Sequence, residues 1–350
     1  MPIAFDTIAA LLGHGYDTVI DVRSPAEYAE DHIPGAVNMA ALSNEERARV
    51  GTVYKQVSAF EAKKIGAALV ARNAATAIET HMQDRDGSWR PLVYCWRGGQ
   101  RSGSFATILR QIGWRAETLE GGYQSFRRLV VRALYDTALP HRLVLLDGNT
   151  GTAKTAILNA LSEHGVQIVD LERLANHRGS LLGGFSDGQP SQKAFESRVA
   201  CAFAALDPAR PVVVEAESSK IGRLIIPPKI WEAMCAAPRV NIEAPLKARA
   251  EYLVRAYADV IMDPARLTAR LQPIRQHRGH EVVDRWQALL TSGDHLGLAS
   301  ALMVDHYDPA YAKSRAVHEA EVIGTARVAA LDDAGVRVAA SNVAAILRSR

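Results

Sequence analysis

The stretch from Pro91 to Ile112 constrains the fold of this chain more than any other. Four residues, Pro91-Leu92-Val93-Tyr94, run straight into the loop Cys95-Trp96-Arg97-Gly98-Gly99-Gln100-Arg101-Ser102. From Ser102 to Ile112 the residues Phe105, Ile108, Leu109 and Ile112 then recur at helical spacing. Strand, glycine-containing loop and helix N-terminus in that order read as part of an α/β domain with a parallel sheet. Backbone amides at a helix N-terminus attract anions, and a cysteine thiolate is one. Arg97 and Arg101 add fixed positive charge for a thiolate and for a bound oxyanion. Gly98 and Gly99 let the backbone turn its N–H groups inward with no Cβ in the way. A solitary cysteine after a strand is ordinarily a small inert hydrophobe. The Cys-x5-Arg spacing with two glycines favours a functional Cys95.

A second strand–loop–helix follows a plausible domain junction at Leu139-Pro140-His141-Arg142. Leu143-Val144-Leu145-Leu146 leads into Asp147-Gly148-Asn149-Thr150-Gly151-Thr152-Ala153-Lys154-Thr155 and a helical stretch from Ala156 to Leu161. This is a P-loop in its required context. Gly148 starts the turn, the amides around Thr150 and Gly151 cradle phosphates, and Lys154 reaches their outer oxygens. Thr155 is placed to bind Mg²⁺ where a metal is present. Ala153 occupies the position normally held by glycine, and its methyl is expected to crowd the approach of phosphate to backbone. Binding of a diphosphate is therefore a firmer expectation than ATP hydrolysis. The chain divides on this reading into residues 1–138 and residues 139–350.

A further strand, Pro211-Val212-Val213-Val214, ends at Glu215 and Glu217. These carboxylates could hold magnesium beside the P-loop, or cap the next segment and pair with Arg223. The polar run around Asn176, His177 and Arg178 is either a substrate-facing loop or a solvated one. Beyond about residue 245 the pattern is helical. Arg249, Arg255, Arg266, Arg270, Arg275, Arg278 and Arg285 alternate with tyrosine, histidine and Trp286, which suits RNA contact or a solvated helix face equally.

Composition removes several classes. The 350 residues are 48% hydrophobic and 23% charged, as in soluble globular proteins. No run of about 20 apolar residues offers a membrane span. The N-terminus lacks the basic and apolar regions of a secretion signal. Three widely spaced cysteines, Cys95, Cys201 and Cys235, form neither a disulfide framework nor a zinc knuckle, and fit a reducing cytoplasm. A net charge of +3 permits a nucleic-acid partner without demanding one.

Asp21-Val22-Arg23-Ser24-Pro25-Ala26-Glu27-Tyr28 with His32-Ile33-Pro34-Gly35-Ala36 resembles the opening signature of rhodanese-like domains. Gly121-Gly122-Tyr123-Gln124-Ser125-Phe126 resembles their closing one. In that family the loop cysteine carries a persulfide or perselenide. The loop here is one residue longer than in many sulfur-transferring members and is similar to that of rhodanese-fold phosphatases, whose pocket admits a tetrahedral anion. Such a pocket would also suit selenophosphate or thiophosphate.

A rhodanese-like domain followed by a P-loop domain resembles the bacterial tRNA 2-selenouridine synthase family. The likeness covers nearly the whole chain, through the two loops, Leu174–Ser180, Gln189-Pro190-Ser191-Gln192 and Glu215–Gly222. It implies a cytoplasmic transferase that replaces sulfur by selenium at the wobble 2-thiouridine of tRNA. The implied donor is selenophosphate, and the implied intermediate is an S-geranylated 2-thiouridine made from geranyl diphosphate. No tightly bound cofactor is expected. On this reading Lys154, Thr155 and the loop amides hold the prenyl diphosphate, and Cys95 with Arg97 and Arg101 serves the selenium step. Two other readings use the same loops: a rhodanese-fold phosphatase fused to a P-loop small-molecule kinase, and a tRNA-binding module with two relic loops.

Overall fold

Short apolar runs bounded by glycine and proline become parallel strands in the computed structural model, which describes residues 2–180, 182–315 and 320–349. By internal packing the chain forms two units. One comprises the residues up to Ala138 together with Pro190–Ala205, and the other comprises Leu139–Gln189 with the residues from Leu206 onward.

In the first unit the strands are β1 (Pro2–Ile3), β2 (Thr18–Asp21), β3 (Val37–Asn38), β4 (Pro91–Tyr94) and β5 (Glu117–Leu119). They pair in the order β1-β5-β4-β2-β3, all parallel. The central strand β4 is buried along its whole length, as a strand covered on both faces must be. Its register sets Asp21 opposite Tyr94, so the chain leaving β2 passes beside the Cys95 loop. Helix Gln100–Ile112 follows that loop, and Phe105, Ala106 and Leu109 turn inward to the core.

The second unit contains β6 (Leu143–Gly148), β7 (Gln167–Val169), β8 (Val212–Glu215), the hairpin β9 (Lys220–Ile221) and β10 (Leu224–Ile225), β11 (Arg239–Glu243) and β12 (Val322–Arg327). Its sheet runs β12-β11-β6-β8-β7, again all parallel. The P-loop leaves the carboxyl end of the middle strand, where open α/β sheets hold their ligands. The alanine- and valine-rich C-terminal segment supplies β12 and helix Asp333–Arg348, whose Ala339, Ala340, Val343 and Ala344 are buried in the core. Among the described residues no helix is long and apolar enough to cross a membrane.

The helix Gln192–Ala204 departs from a simple two-part division of the sequence. It packs on helix Ile8–Leu12, on helix Gly122–Val131 and on the π-helical turn Arg132–Asp136, all in the first unit. Ser191 caps it by accepting from the Ala194 amide at 3.0 Å, and Phe195 is completely buried. Replacing Phe195 by alanine should cost about 3–5 kcal/mol through cavity formation. The loss should appear as faster alkylation of Cys95 in a native-state labelling experiment, with proteolysis of residues 206–350 unchanged. Equal protection of Cys95 in both proteins would contradict the assignment of this helix to the first unit.

Candidate functional site: two anion loops

The Cys95 loop is held from below and from the side. Gly98 and Gly99 both adopt left-handed backbone, with φ of 68° and 72°, and Gly99 caps helix Gln100–Ile112. The Cys95 side chain is buried at 2% exposure, the Ser102 hydroxyl donates to its sulfur at 3.4 Å, and the thiol faces the Arg97 carbonyl at 3.6 Å. Helix Gly122–Val131 pins the loop from its N-terminus: the Tyr123 amide donates to the Cys95 carbonyl at 2.8 Å and the Gln124 amide to that of Trp96 at 3.1 Å. Gly122 is required there, since a Cβ would lie 2.3 Å from the Cys95 carbonyl oxygen.

Beneath the loop lies a buried cation that sequence reasoning left without a role. Arg23, 1% exposed, forks onto Asp21 with its Nη2 at 2.6 Å, donates to the Asp31 carbonyl at 2.6 Å, and stacks 4.0 Å from the Tyr123 ring centre. The Asp31 carboxylate accepts from the Tyr123 hydroxyl and from Ser197, each at 2.7 Å. The Asp21-Val22-Arg23 signature was the available signal for Arg23; Asp31 and Ser197 had none.

The two loop arginines differ. Arg97 is exposed. Arg101 forks onto Glu27, at 2.9 and 3.4 Å, so one carboxylate of the opening signature fixes its guanidinium beside the loop. Burial works to raise the Glu27 carboxyl, but the hydrogen bond and charge of Arg101 outweigh it and hold the group below its ordinary value. The other thiols are less suited to chemistry. Burial pushes Cys201 up to about 12, aided by Asp31, and burial also raises Cys235.

In the second unit the P-loop closes around Lys154, whose Nζ donates to the Gly148 carbonyl at 2.9 Å and lies 5.2 Å from the Tyr311 ring. Gly151 takes φ 84° where the loop passes the Arg249 carbonyl and Leu253, and Arg249 in turn donates to Thr150 O at 2.9 Å. Burial tends to lower Lys154, yet Tyr311, Glu217, Glu172 and Asp147 together raise it, so it stays charged. Thr155 donates to Glu172 at 2.7 Å, and the Glu172 and Glu217 carboxyls share a hydrogen bond. Both carboxyls are pushed up by burial before any other cause; Glu172 then raises Glu217 further, while Lys154 opposes. Glu172 was the residue missed here. Glu215 is fully buried, accepts from the Leu171 and Glu172 amides at 3.2 and 3.4 Å, and is raised by burial and then by Asp170 and Glu172.

The expectation that Ala153 crowds the phosphate cradle is corrected by the structure. Ala153 takes left-handed backbone, φ 58° and ψ 30°, as a glycine would, and its methyl is buried in the apolar core of the unit at 3% exposure. Left-handed alanine costs about 1–2 kcal/mol. Burying a methyl returns about 0.8 kcal/mol.

A cavity of about 580 Å³ opens beside the loop, with Asp147, Thr150, Glu217, Trp231, Tyr307 and Tyr311 in its walls. His177, Gly179 and Ser180 reach it as well; Asn176, Arg178 and Glu215 do not. Asn176 instead donates to the Gly188 carbonyl, and Arg178 pairs with Asp259 at 3.0 Å over the rings of Phe185 and Tyr257. His177 accepts the Gly179 amide on Nδ1 and is lowered by burial, then by Arg270 and Arg178, so it is neutral. Gln189 ties these segments together, donating to the Ala175 and Ile221 carbonyls and accepting from the Arg223 amide at 2.9 Å. Against the Thr150 side of the loop lies an apolar slot walled by Leu182, Leu253, Val260, Ile261, Leu298 and Leu302, and Thr150, Ser180 and Tyr307 line both spaces.

These features define a class: a rhodanese-like domain joined to a P-loop domain of the AAA type. Residues 5–129 match the rhodanese-like domain family, and residues 141–335 match the tRNA 2-selenouridine synthase AAA domain. The chain belongs to the tRNA 2-selenouridine synthase family. A tRNA 2-selenouridine synthase from Hahella chejuensis is 32% identical over 84% of this chain and 84% of its own length. One from Psychromonas ingrahamii is 29% identical over 84% and 86%, and one from Aeromonas salmonicida 31% identical over 84% and 86%.

Two outcomes follow from the P-loop geometry. Ala153→Gly should shift stability by less than about 1 kcal/mol, because relieved strain is offset by the lost methyl and a freer unfolded chain. Ala153→Val, β-branched at positive φ, should lose about 2 kcal/mol or more in a denaturant titration. Glu217→Gln copies the protonated state of a carboxyl whose folded value lies well above the ordinary 4.5. The wild-type group therefore favours folding at low pH and loses that advantage as pH rises through the folded value. The variant should melt above wild type near about pH 8, with the gap closing towards about pH 4; a gap independent of pH would contradict the shared proton.

Proposed function

We propose that this protein replaces sulfur by selenium at the wobble 2-thiouridine of cytoplasmic tRNA in two steps, one at each loop. The observation that carries this reading is Thr150, which lines both a cavity of about 580 Å³ with Asp147, Glu217 and Lys220 in its walls and an apolar slot of about 60 Å³ that would widen to admit a prenyl chain. A prenyl diphosphate has that polarity. Its diphosphate suits Lys154, Thr155 and the loop amides, and each CH₂ buried in the slot would contribute about 0.8 kcal/mol.

In the first step the uridine, in the cavity beside Trp231, Tyr307 and Tyr311, presents its sulfur to C1 of geranyl diphosphate. A carbon–sulfur bond forms, the C1–oxygen bond breaks, and diphosphate leaves with the bonding pair, stabilised by Lys154. The base loses its N3 proton, and the Glu172–Glu217 pair, which reaches the cavity through Glu217, offers a carboxylate oxygen to receive it. Magnesium would find hard oxygen donors in Thr155, Glu172 and Glu217, and when bound would add positive charge next to the diphosphate. Among the described residues no cluster of three or more His, Cys, Asp or Glu side chains is arranged as a metal site.

In the second step selenophosphate supplies selenium to C2 and the geranyl thiolate departs. Selenium in selenophosphate is already fully reduced, so this exchange needs no oxidant. The task of Cys95, with Arg97 and Arg101 beside it, is to attack phosphorus first. The S–P bond forms, the Se–P bond breaks and selenide is freed to attack C2, after which water hydrolyses the phosphocysteine to phosphate. The loop spacing shared with rhodanese-fold phosphatases supports that assignment.

Lys154→Ala should reduce geranylation by about a hundredfold or more, read by mass spectrometry of tRNA nucleosides. Cys95→Ala should instead accumulate geranylated 2-thiouridine and make no 2-selenouridine. Arrest of both variants at the same step would overturn the division of labour.

A further inference from the structure

We propose that the tip of the helical hairpin Asn44–His81 in the first unit is the surface on which tRNA docks, through base stacking on Tyr54 and Phe60 and phosphate contact with Lys55 and Lys63. The hairpin consists of helices Asn44–Gln56 and Ala59–His81, placed between β3 and β4. Its first helix buries none of its side chains fully; Val50 packs partly on the core of the unit, whereas Tyr54 near its end is largely exposed. Tyr54, Val57 and Phe60 are 59%, 71% and 68% exposed, three of the four most exposed large hydrophobic residues among those described. Each ring has a cation at hand. Lys55 follows Tyr54 in sequence, and Lys64 sets its ammonium 5.4 Å from the centre of the Phe60 ring. From Gly51 to Lys64 there are three lysines and one acid, Glu61, which is already paired with Lys64 at 2.7 Å.

This composition selects the occupant. Lysine is depleted from the cores of protein–protein interfaces, whereas exposed rings beside cations are how proteins hold single-stranded nucleic acid. The arginine-rich helices beyond residue 245 offer less. Arg249, Arg275 and Arg285 are committed to Asp308, Asp284 and Asp305, and Arg255, Arg270 and Arg278 donate to carbonyls of their own unit. The tRNA partner itself rests on the function proposed above.

The test is anisotropy of a fluorescein-labelled tRNA transcript titrated with the full-length protein. The double variant Tyr54→Ala/Phe60→Ala should weaken binding roughly tenfold or more, as expected for two lost stacking platforms. Lys55→Glu/Lys63→Glu, at exposed positions that cannot unfold the hairpin, should reduce the slope of log affinity against log salt by about 2. Wild-type affinity and salt slope in both variants would overturn the proposal while leaving the synthase reading intact. Sedimentation in which these variants dissociate a wild-type dimer, with tRNA affinity unchanged, would give the surface to a second copy of this chain and overturn it equally. A wild-type protein with no affinity for tRNA would remove both readings together.

Discussion

Both loops depend on one stereochemical constraint. To aim several backbone amides at one anion, the chain must turn through left-handed backbone immediately before a helix begins. Gly99, Gly121 and Ala153 each occupy that position, with φ of 72°, 67° and 58°. At Gly99 and Gly121 the absence of a Cβ meets the requirement directly. At Ala153 strain is accepted because the methyl points away from the cradle and into apolar core, so the substitution that weakens the P-loop pattern on paper leaves its geometry whole. The consequence reaches the ligand side: a loop whose backbone conformation is already set need not spend binding energy on ordering itself.

Each loop also stands over buried charge, and the two do so in opposite senses. Under the Cys95 loop the buried group is a cation, Arg23, matched by Asp21 and by carbonyl and ring contacts. Beside the P-loop the surplus is acidic, with Asp147, Glu172 and Glu217 around a single Lys154 and Glu215 next to Glu172. Isolated buried ions cost several kcal/mol, and the protein avoids this in different ways. Arg23 donates from Nε and Nη2 to Asp21 and from Nη2 to the Asp31 carbonyl. Burial pushes Glu172, Glu215 and Glu217 towards their neutral forms, and Glu172 and Glu217 share a hydrogen bond.

The parts of this fold that were legible in the sequence are local ones. A strand, a glycine loop and a helix N-terminus lie within about twenty residues, and periodicity with turn chemistry reads that span directly. Pro91–Tyr94 and the P-loop strand fall where apolar runs predict them. What was not legible depends on distant partners. Asp31 sits in a polar run, Glu30-Asp31-His32, that reads as solvated surface, yet it is 3% exposed. Its partners Tyr123 and Ser197 lie 92 and 166 residues away. For the same reason helix Gln192–Ala204 could not be assigned to the first unit: its pattern says that a face is buried, not against what. The arginines beyond residue 245 fail differently, since a sequence displays charge without showing which carboxylates have already claimed it.

The pairing of two anion loops in one chain makes sense through what each places next to its anion. Lys154 offers charge and no nucleophile, which suits a leaving group that must depart intact. Cys95 offers a nucleophile, with the Ser102 hydroxyl on its sulfur and Arg101 fixed by Glu27, which suits a group that must be taken up and released again. Sulfur bound to C2 of a uridine is a poor leaving group, and alkylation makes it a better one. On the proposed two-step reaction, alkylation by a prenyl diphosphate would use the first kind of loop, and delivery of selenium from a phosphorylated donor the second. A single loop carrying both groups would set a soft thiolate beside a prenyl donor that alkylates sulfur, and the thiolate would compete with the RNA for it. Housing the two functions in separate units, each with its own sheet and core, removes that competition at the level of the fold.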